Sequence, residues 1–489
     1  MSLEQDLNLD RQFYTSHYNS FRFVMLLILM VTAIFSIGFH HPDEYYQIFE
    51  YMMVFQGKAG SSILSPLEMK YQMRPWFQPI LFTALTAPLK WFGLSSPFYA
   101  TLWLRMLTGL LAFANFSLWM KWSYFKTEGK IKYQYLWWFL PYFAIRTSSD
   151  TWGAHFALIA LALLSLSLLK PEKLSLRPMI IFALFSGLAI LFRYQTILII
   201  FPTVLWLIIN KKISLRIFFI STFIFIFICL LELPFNYWGY GRWTLASYNH
   251  AYTNVVLKIS HQFGTMPPWG YFKLIFKSGY GIFGLYFISL TIFFWKKNWK
   301  SLLGFTTLFY FIFFCFIGHK EVRFLTPLLF LMPFLILLND HGSLFQKIKN
   351  ILYKLNFILL IFIMIKPANR YAGLYQGLYQ ETLKGETIHV LRDEFDRSQS
   401  HLKFELEYFK KYQFHERVID SKEQLESLSR VLPHMLIATS KFKEFLMMKS
   451  MPHCQIKYSS YPQFLFRFNP FNWLSRSSIL ALWRCSSSQ

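Results

Sequence analysis

Two carboxylates stand side by side where an apolar run ends. Phe21 to Phe39 leads straight into His40-His41-Pro42-Asp43-Glu44-Tyr45-Tyr46-Gln47. Charge set against a partly apolar boundary is costly unless it is paired or used. A carboxylate within hydrogen-bond reach of a hydroxyl can take its proton as the oxygen attacks an electrophilic carbon, and a raised pKa suits that task. Asp43 is the candidate base, with Glu44 orienting the nucleophile or sharing the proton. The competing role is structural: both acids charge the first turn of a helix over 43–55, opened by Pro42, whose missing N–H costs nothing there. His40 and His41 read as interfacial polar residues or, beside Asp43, as metal ligands, although adjacent positions splay apart on a helix.

A second cluster, Gly318-His319-Lys320-Glu321-Val322-Arg323-Phe324, fills a tight turn between two apolar runs. His319, Lys320 and Arg323 gather donors against an apolar wall, which suits a phosphate joined to a long hydrocarbon chain. Glu321 would be repelled by that phosphate and is expected to fix Lys320 or Arg323. The alternative is a turn whose basic side chains snorkel toward headgroups. Arg146, in Arg146-Thr147-Ser148-Ser149-Asp150, and Arg193, between two apolar runs, are further phosphate ligands or interfacial anchors. From Glu232 to Gly270, the groups Tyr240-Gly241-Arg242-Trp243, Tyr248-Asn249-His250 and Pro268-Trp269 offer the aromatic faces and amides that sugar recognition uses. An aromatic belt at a membrane interface has the same composition.

The elements that must position these residues read as membrane helices. The chain of 489 residues is 55% hydrophobic and only 15% charged, where soluble domains carry about 25% charge, so lipid is its expected solvent. The formal net charge of +24 comes from bases set between apolar runs, which points to membrane lipids rather than nucleic acid. Eleven spans are expected, near 21–39, 97–120, 133–145, 151–169, 178–192, 194–210, 214–231, 278–295, 301–318, 324–338 and 351–366. With eleven crossings the basic linkers (Lys121, Lys126, Lys130 and Lys132; Lys170, Lys173 and Arg177; Lys211, Lys212 and Arg216; Lys296, Lys297 and Lys300; Lys347 and Lys349) fall on one face, the cytoplasmic one. Counting Pro79 to Leu94 as a twelfth span would invert them, so that segment is expected to lie in the interface, within an external loop over 40–96. Residues 1–20 form a cytoplasmic tail, since the first apolar run ends without a cleavage site.

Residues 21–366 thus form the membrane domain, and 367–489 differ. This tail is richer in charge, with a helical-looking stretch around 399–410 and strand-like runs over 433–439, 455–458 and 478–483, so a small extracytoplasmic α/β domain is expected. Cys229 and Cys315 lie in apolar runs; Cys454 and Cys485, in the tail, are either bonded or two small buried thiols. No glycine-rich nucleotide loop follows a strand and no metal-ligand spacing stands out, so neither a cofactor nor a metal is expected.

The chain resembles the lipid-sugar-dependent mannosyltransferases that extend glycosylphosphatidylinositol anchors and the late lipid-linked oligosaccharide, glycosyltransferase family 22, together with bacterial relatives. The resemblance rests on His41-Pro42-Asp43-Glu44 with Tyr45 and Gln47, on Arg146-Thr147, on Tyr240-Gly241-Arg242-Trp243-Thr244 with Tyr248-Asn249, on Gly264-Thr265 with Pro268-Trp269, and on His319-Lys320-Glu321-Val322-Arg323-Phe324. It covers roughly residues 20–370. It implies a polytopic α-helical membrane protein of the GT-C type, here with about 11 transmembrane helices and the small C-terminal α/β domain. It also implies an inverting transfer of a hexose, mannose first, from a polyprenyl-phosphate donor to a glycan or glycolipid acceptor on the outer or lumenal face. The family's acidic pair maps onto Asp43 and Glu44, and its phosphate-binding turn onto His319, Lys320 and Arg323. His41, Tyr45, Gln47, Arg146, Asp150, Arg193, Arg242, Trp243 and Trp269 complete the expected substrate-binding set, Asp150 standing where the family usually has Asn. Short loops and the basic-linker pattern favour a bacterial inner membrane over the endoplasmic reticulum. Two other functions share these features: a transporter or flippase for a lipid-linked sugar, which would show paired repeats with broken helices, and a ligase or polymerase moving a whole oligosaccharide from a polyprenyl carrier.

Overall fold

The computed structural model describes residues 3–60, 64, 66–126, 136–169, 172–337, 343–383, 385–391, 407–409, 415–432, 434–461 and 463–486. Lys130, Lys132 and Lys170 of the basic linkers and most of the helix expected over 399–410 lie outside them. The chain divides into two compact units: Met1–Phe35, Tyr46–Phe92 and Trp103–Lys366 form the first, and Ser36–Tyr45, Gly93–Leu102 and Pro367–Gln489 the second.

The expectation of about eleven spans is corrected. Among the described residues, four helical stretches are long and apolar enough to cross a membrane: Tyr18–Phe35, Pro97–Phe125, Ser149–Ser167 and Leu215–Tyr240. The other apolar runs give shorter apolar stretches, Leu176–Phe192, Tyr194–Ile209, Leu302–Phe316, Val322–Phe334 and Asn350–Met364, the last within the longer helix Ser343–Met364. The run expected over 133–145 gives a helix of only six residues, Phe139–Ala144. An α-helix rises about 1.5 Å per residue, so 17 residues reach only about 25 Å of a hydrocarbon core about 30 Å thick. Hydropathy detects composition, whereas a span needs unbroken helix. The break between Leu176–Phe192 and the next helix falls at Arg193, in extended backbone, whereas Pro202 and Pro333 lie inside their helices. The alternation that put every basic linker on one face depended on eleven crossings and goes with them. The segment expected in the interface forms the helix Phe77–Thr86 and a 3-10 turn, Ala87–Phe92, whose Trp91 and Phe92 are exposed.

In the first unit, the helix Ser149–Ser167 is the buried centre, with most of its residues out of solvent. Ser148 caps it, accepting from the Thr151 N–H, and Asp150 stands in its first turn, where the helix dipole favours an acid. Leu176–Phe192 packs along it. The approach is closest at Gly153, where an added Cβ would lie 2.6 Å from the Cβ of Arg193. Several polar groups inside the helices find partners: Trp152 Nε1 donates to Thr108 Oγ1 at 2.9 Å, and Asn115 Nδ2 and the Ala144 carbonyl engage the two ring nitrogens of His155.

The second unit is built on a five-stranded mixed sheet of order β2-β1-β3-β5-β4, with β1 at Thr387–Leu391, β2 at His415–Ile419, β3 at His434–Lys441, β4 at Cys454–Ser459 and β5 at Ser478–Ser486. β1 runs parallel to β2 and β3, while β5 is antiparallel to β3 and β4. Alternation divides the buried side chains into two cores. Ile388, Val390, Leu436 and Leu480 pack with Leu374 and Leu378 of the helix Arg370–Glu381. Leu391, Ile437 and Trp483 pack with Leu425 and Phe445 from the helices Lys422–Val431 and Phe442–Lys449. Cys454 and Cys485 face each other in the β4–β5 register and are bonded.

Residues 36–45 belong to this unit through named contacts. The Ile37 carbonyl accepts from the Ala368 and Asn369 N–H groups, the Tyr408 N–H donates to the Tyr45 hydroxyl at 3.0 Å, and Phe39 lies against Tyr45 and Phe409. Cys454 and Cys485 are 31 residues apart, and closing a loop of that length with a disulfide is worth about 3–4 kcal/mol in the chain-entropy model. Replacing Cys454 and Cys485 together by Ser is therefore expected to expose the edge strand β4 and speed limited proteolysis within 434–486 relative to the parent protein, a difference that reductant should abolish.

Candidate functional site

The site in the first unit is organised around Asp150. The helix dipole and Ser148 present its carboxylate at a helix start, and two guanidinium groups share it: Arg193 Nε lies 2.9 Å from Oδ1 and Arg323 Nη1 3.6 Å from Oδ2. Arg193 ends the helix Leu176–Phe192 in extended backbone, so its side chain leaves the helix axis toward Asp150. Arg323 sits in the 3-10 turn Val322–Leu325 and also holds Glu321, Nε to Oε2, at 2.5 Å. Glu321 in turn engages His319 Nε2 at 2.8 Å, and His319 Nδ1 faces the Gly264 carbonyl at 3.0 Å. The Met266 N–H donates to the Gly318 carbonyl, so the stretch at 264–266 is held against the basic turn. Side chains of Arg193 and Asp150 are only 7% and 6% exposed. Desolvated charges at this depth are stable only when each is met by an opposite charge and hydrogen bonds.

Beside Arg193 opens a small cleft lined by Gln47, Arg74, Gln78, Ser149, Arg193 and Tyr194, with Ile48, Pro75, Pro79 and Phe192 as its apolar wall. Arg74, paired with Glu68 at 2.8 Å, is set by a strap over Gln72–Trp76 whose backbone is gripped by four side chains from other elements. Asn249 donates to the Gln72 carbonyl, Tyr194 to Met73 and Tyr240 to Arg74, while the Trp76 N–H donates to Asn236. The buried Glu232 carboxylate secures the segment that supplies three of these, accepting from Asn236 Nδ2 and the Ser247 N–H. The result is two guanidinium groups lining one cleft, each fixed by a carboxylate partner.

The other expected site residues divide. Gln47 lines the cleft in the π-helical turn Tyr45–Phe49. Arg146 is fully buried, its Nε donating to the Tyr142 carbonyl and its guanidinium lying over the Tyr142 ring. Lys320 turns away from the network: its ammonium donates to the Cys315 and Ile317 carbonyls at the end of the helix Leu302–Phe316, satisfying acceptors the helix leaves open, and burial lowers its pKa. Arg242, Trp243 and Trp269 are exposed, with Trp243 stacked on Tyr237.

In the second unit, His41 caps the short helix Pro42–Glu44, its Nδ1 accepting from the Asp43 N–H. Glu44 is buried and accepts from the His40 N–H at 2.9 Å, Tyr45 is buried, and Asp43 stays partly exposed. Arg74, Gln78 and Tyr194 are not among the residues expected from sequence. The available signal was the arginine in Met73-Arg74-Pro75-Trp76, a charge between apolar residues in the expected external loop over 40–96.

The strap depends on a close approach at Gly239, where an added Cβ would lie 1.9 Å from the Trp76 indole. Gly239→Ala is expected to displace Trp76 and lower the thermal midpoint strongly, as overpacking does at about 1–3 kcal/mol or more. Gly241→Ala, with nothing within 4 Å of its Cβ and a φ of +71°, should show only the smaller backbone strain, about 1–2 kcal/mol. Equal losses in a thermal shift measurement would contradict this account of the strap.

Comparison with known proteins gives three findings. Residues 21–402 match the Alg9-like mannosyltransferase family. GPI mannosyltransferase 3 of Candida albicans is 34% identical over 144 residues, a match spanning 29% of this chain and 28% of that protein. The solved structures of ArnT from Cupriavidus metallidurans, bound to undecaprenyl phosphate and in the apo state, superpose with TM-scores of 0.53 and 0.52 at 11% identity, over 96% of this chain and 98% of theirs. At that identity the likeness is one of fold, a GT-C-like polytopic helical architecture. With the family match spanning most of its length, the chain belongs to the Alg9-like mannosyltransferase family.

Proposed function

We propose that the protein is an inverting glycosyltransferase that moves a hexose, mannose first among candidates, from a polyprenyl-phosphate donor to a hydroxyl of a glycan or glycolipid on the outer or lumenal membrane face. The observation that carries the reading is the two-arginine cleft: Arg74 and Arg193 line it together, and Arg193 is backed by Asp150, Arg323 and Glu321. A donor phosphate lying there meets charge-assisted donors that neutralise the negative charge growing on it as the glycosidic bond breaks. Its prenyl chain stays in lipid. Gln47, Gln78 and Tyr194 supply the polar groups that would orient the sugar. His319 acts through Glu321, by fixing the carboxylate that holds Arg323.

Asp43 is the proposed general base, taking the acceptor proton as the hydroxyl oxygen attacks the anomeric carbon from the face opposite the phosphate. Glu44, engaged by the His40 N–H, positions the helix that presents Asp43. The Cys454–Cys485 bond supports an oxidising compartment for the second unit, and residues 36–45, with Asp43, belong to that unit. A bacterial inner membrane, with this unit outside the cytoplasm, is the proposed location.

Purified protein, offered a panel of polyprenyl-phosphate sugars with membrane lipid extract, is expected to consume one donor. Asp43→Asn should lower kcat by about 10²-fold or more while the protein stays folded; turnover at the parent rate would remove Asp43 from the role of base. Arg193→Lys keeps the charge but loses the planar fork, so donor KM is expected to rise about tenfold, matching the worth of one charge-assisted contact. An unchanged KM would place the phosphate elsewhere.

A further inference from the structure

Gln78 stands in the first turn of the helix Phe77–Thr86, directly after the strap that carries Arg74. It lines the cleft together with Arg74 and Arg193, and only 2% of the residue is exposed. One end of its amide is fixed: Nε2 donates to the Thr147 carbonyl at 2.9 Å, two residues before Ser149, which lines the same cleft. A carbonyl only accepts, so this contact assigns the two ends of the amide, and Oε1 is the end left over. Oε1 is buried and has no hydrogen-bond partner among the described residues. Arg74, Arg193 and Tyr194 are each engaged, the first two by Glu68 and Asp150 and the third by the Met73 carbonyl. Among the described lining residues, Gln78 alone has a buried side-chain acceptor left unmet. An acceptor kept from water without a donor is costly, and one fixed in place suits a single donor group of defined position.

We propose that Gln78 reads the donor sugar: its Oε1 accepts from the hydroxyl on the carbon next to the anomeric centre, the 2-hydroxyl. The inference rests on the donor-phosphate reading above. With the phosphate on the two guanidinium groups, a second anionic oxygen at Gln78 would meet an acceptor and be repelled, whereas a hydroxyl brings the missing donor. The cleft is small, so the groups that share it with the phosphate are those on the edge of the ring nearest the anomeric carbon, where the 2-hydroxyl is the donor. The contact gains strength during the reaction. As the bond to phosphate breaks, with its electron pair left on the phosphate oxygen, positive charge grows at the anomeric carbon and makes the neighbouring hydroxyl a stronger donor. A fixed acceptor also reads direction, since the 2-hydroxyl is axial in mannose and equatorial in glucose. The Thr147 contact, which stops the amide from turning, gives Gln78 that selectivity. Gln78 is therefore a specificity-determining residue, and its effect falls on kcat more than on KM.

The test offers the full chain in detergent three donors: the polyprenyl-phosphate sugar it consumes, that donor's 2-deoxy analogue and its 2-epimer. The parent protein is expected to favour its own donor over both by roughly 10–100-fold in kcat/KM, the range for one buried hydrogen bond. Gln78→Met keeps the length of the side chain and removes the acceptor, so the preference should collapse toward one through loss of kcat on the parent's own donor. Affinity for farnesyl phosphate, which carries no sugar, should stay at the parent value; Gln78→Leu is the second variant if Met disturbs the fold. Equal preference in parent and variants, no preference in the parent, or loss of farnesyl phosphate binding in the variants overturns the role of Gln78 and leaves the phosphate site standing. Consumption of no donor by the parent protein overturns the donor reading itself, and the role of Gln78 with it.

Discussion

One carboxylate, Asp150, is shared by two guanidinium groups from distant parts of the chain, and the rest of the site is arranged so that this can happen below the surface. An unpaired charge at that depth would cost several kcal/mol. Each constraint therefore has a visible cause: a serine cap and a helix dipole hold Asp150, extended backbone at Arg193 frees its side chain from the helix, and Gly153 lets the two helices close until Arg193 is in reach. Glu321 extends the same balance to Arg323 and His319. Cations so fully paired are held in one orientation by the fold itself.

The same economy of burial explains the strap over Gln72–Trp76. Irregular backbone beside a membrane must have its amides and carbonyls satisfied by the protein itself. Asn236, Asn249, Tyr194 and Tyr240 do so from elsewhere in the first unit, and in doing so fix the direction of Arg74. The aromatic loop from 232 to 250 thus serves Arg74 through its polar atoms, while several of its rings, Trp238, Trp243 and Tyr248 among them, remain exposed.

The two acids that follow the first apolar run have different surroundings. Glu44 is buried and bonded to the His40 N–H, which realises the helix-capping role, whereas Asp43 keeps part of its side chain in solvent. The capping and catalytic readings of that pair are therefore compatible, one for each residue. His41, as the cap, is occupied by the Asp43 N–H.

From the residues alone, the class of solvent, the acidic pair behind Pro42, the basic turn at 319–323 and the arginines at 146 and 193 were legible, because charge inside an apolar sequence is conspicuous wherever it folds. Three strands were legible too: β3, β4 and β5 each cover one of the strand-like runs in the tail. The number of spans was not, since several of the apolar runs are shorter than the hydrocarbon core is thick, and composition does not tell which of them cross it. Nor could sequence separate Lys320, which turns back onto its own helix end, from Arg323, three residues on, which reaches Asp150. Arg74 joined Arg193 only in the folded chain. The contacts that bring it there link residues more than a hundred positions apart, and such contacts leave no period in the sequence, because they depend on which helices pack together and not on the order in which residues are written.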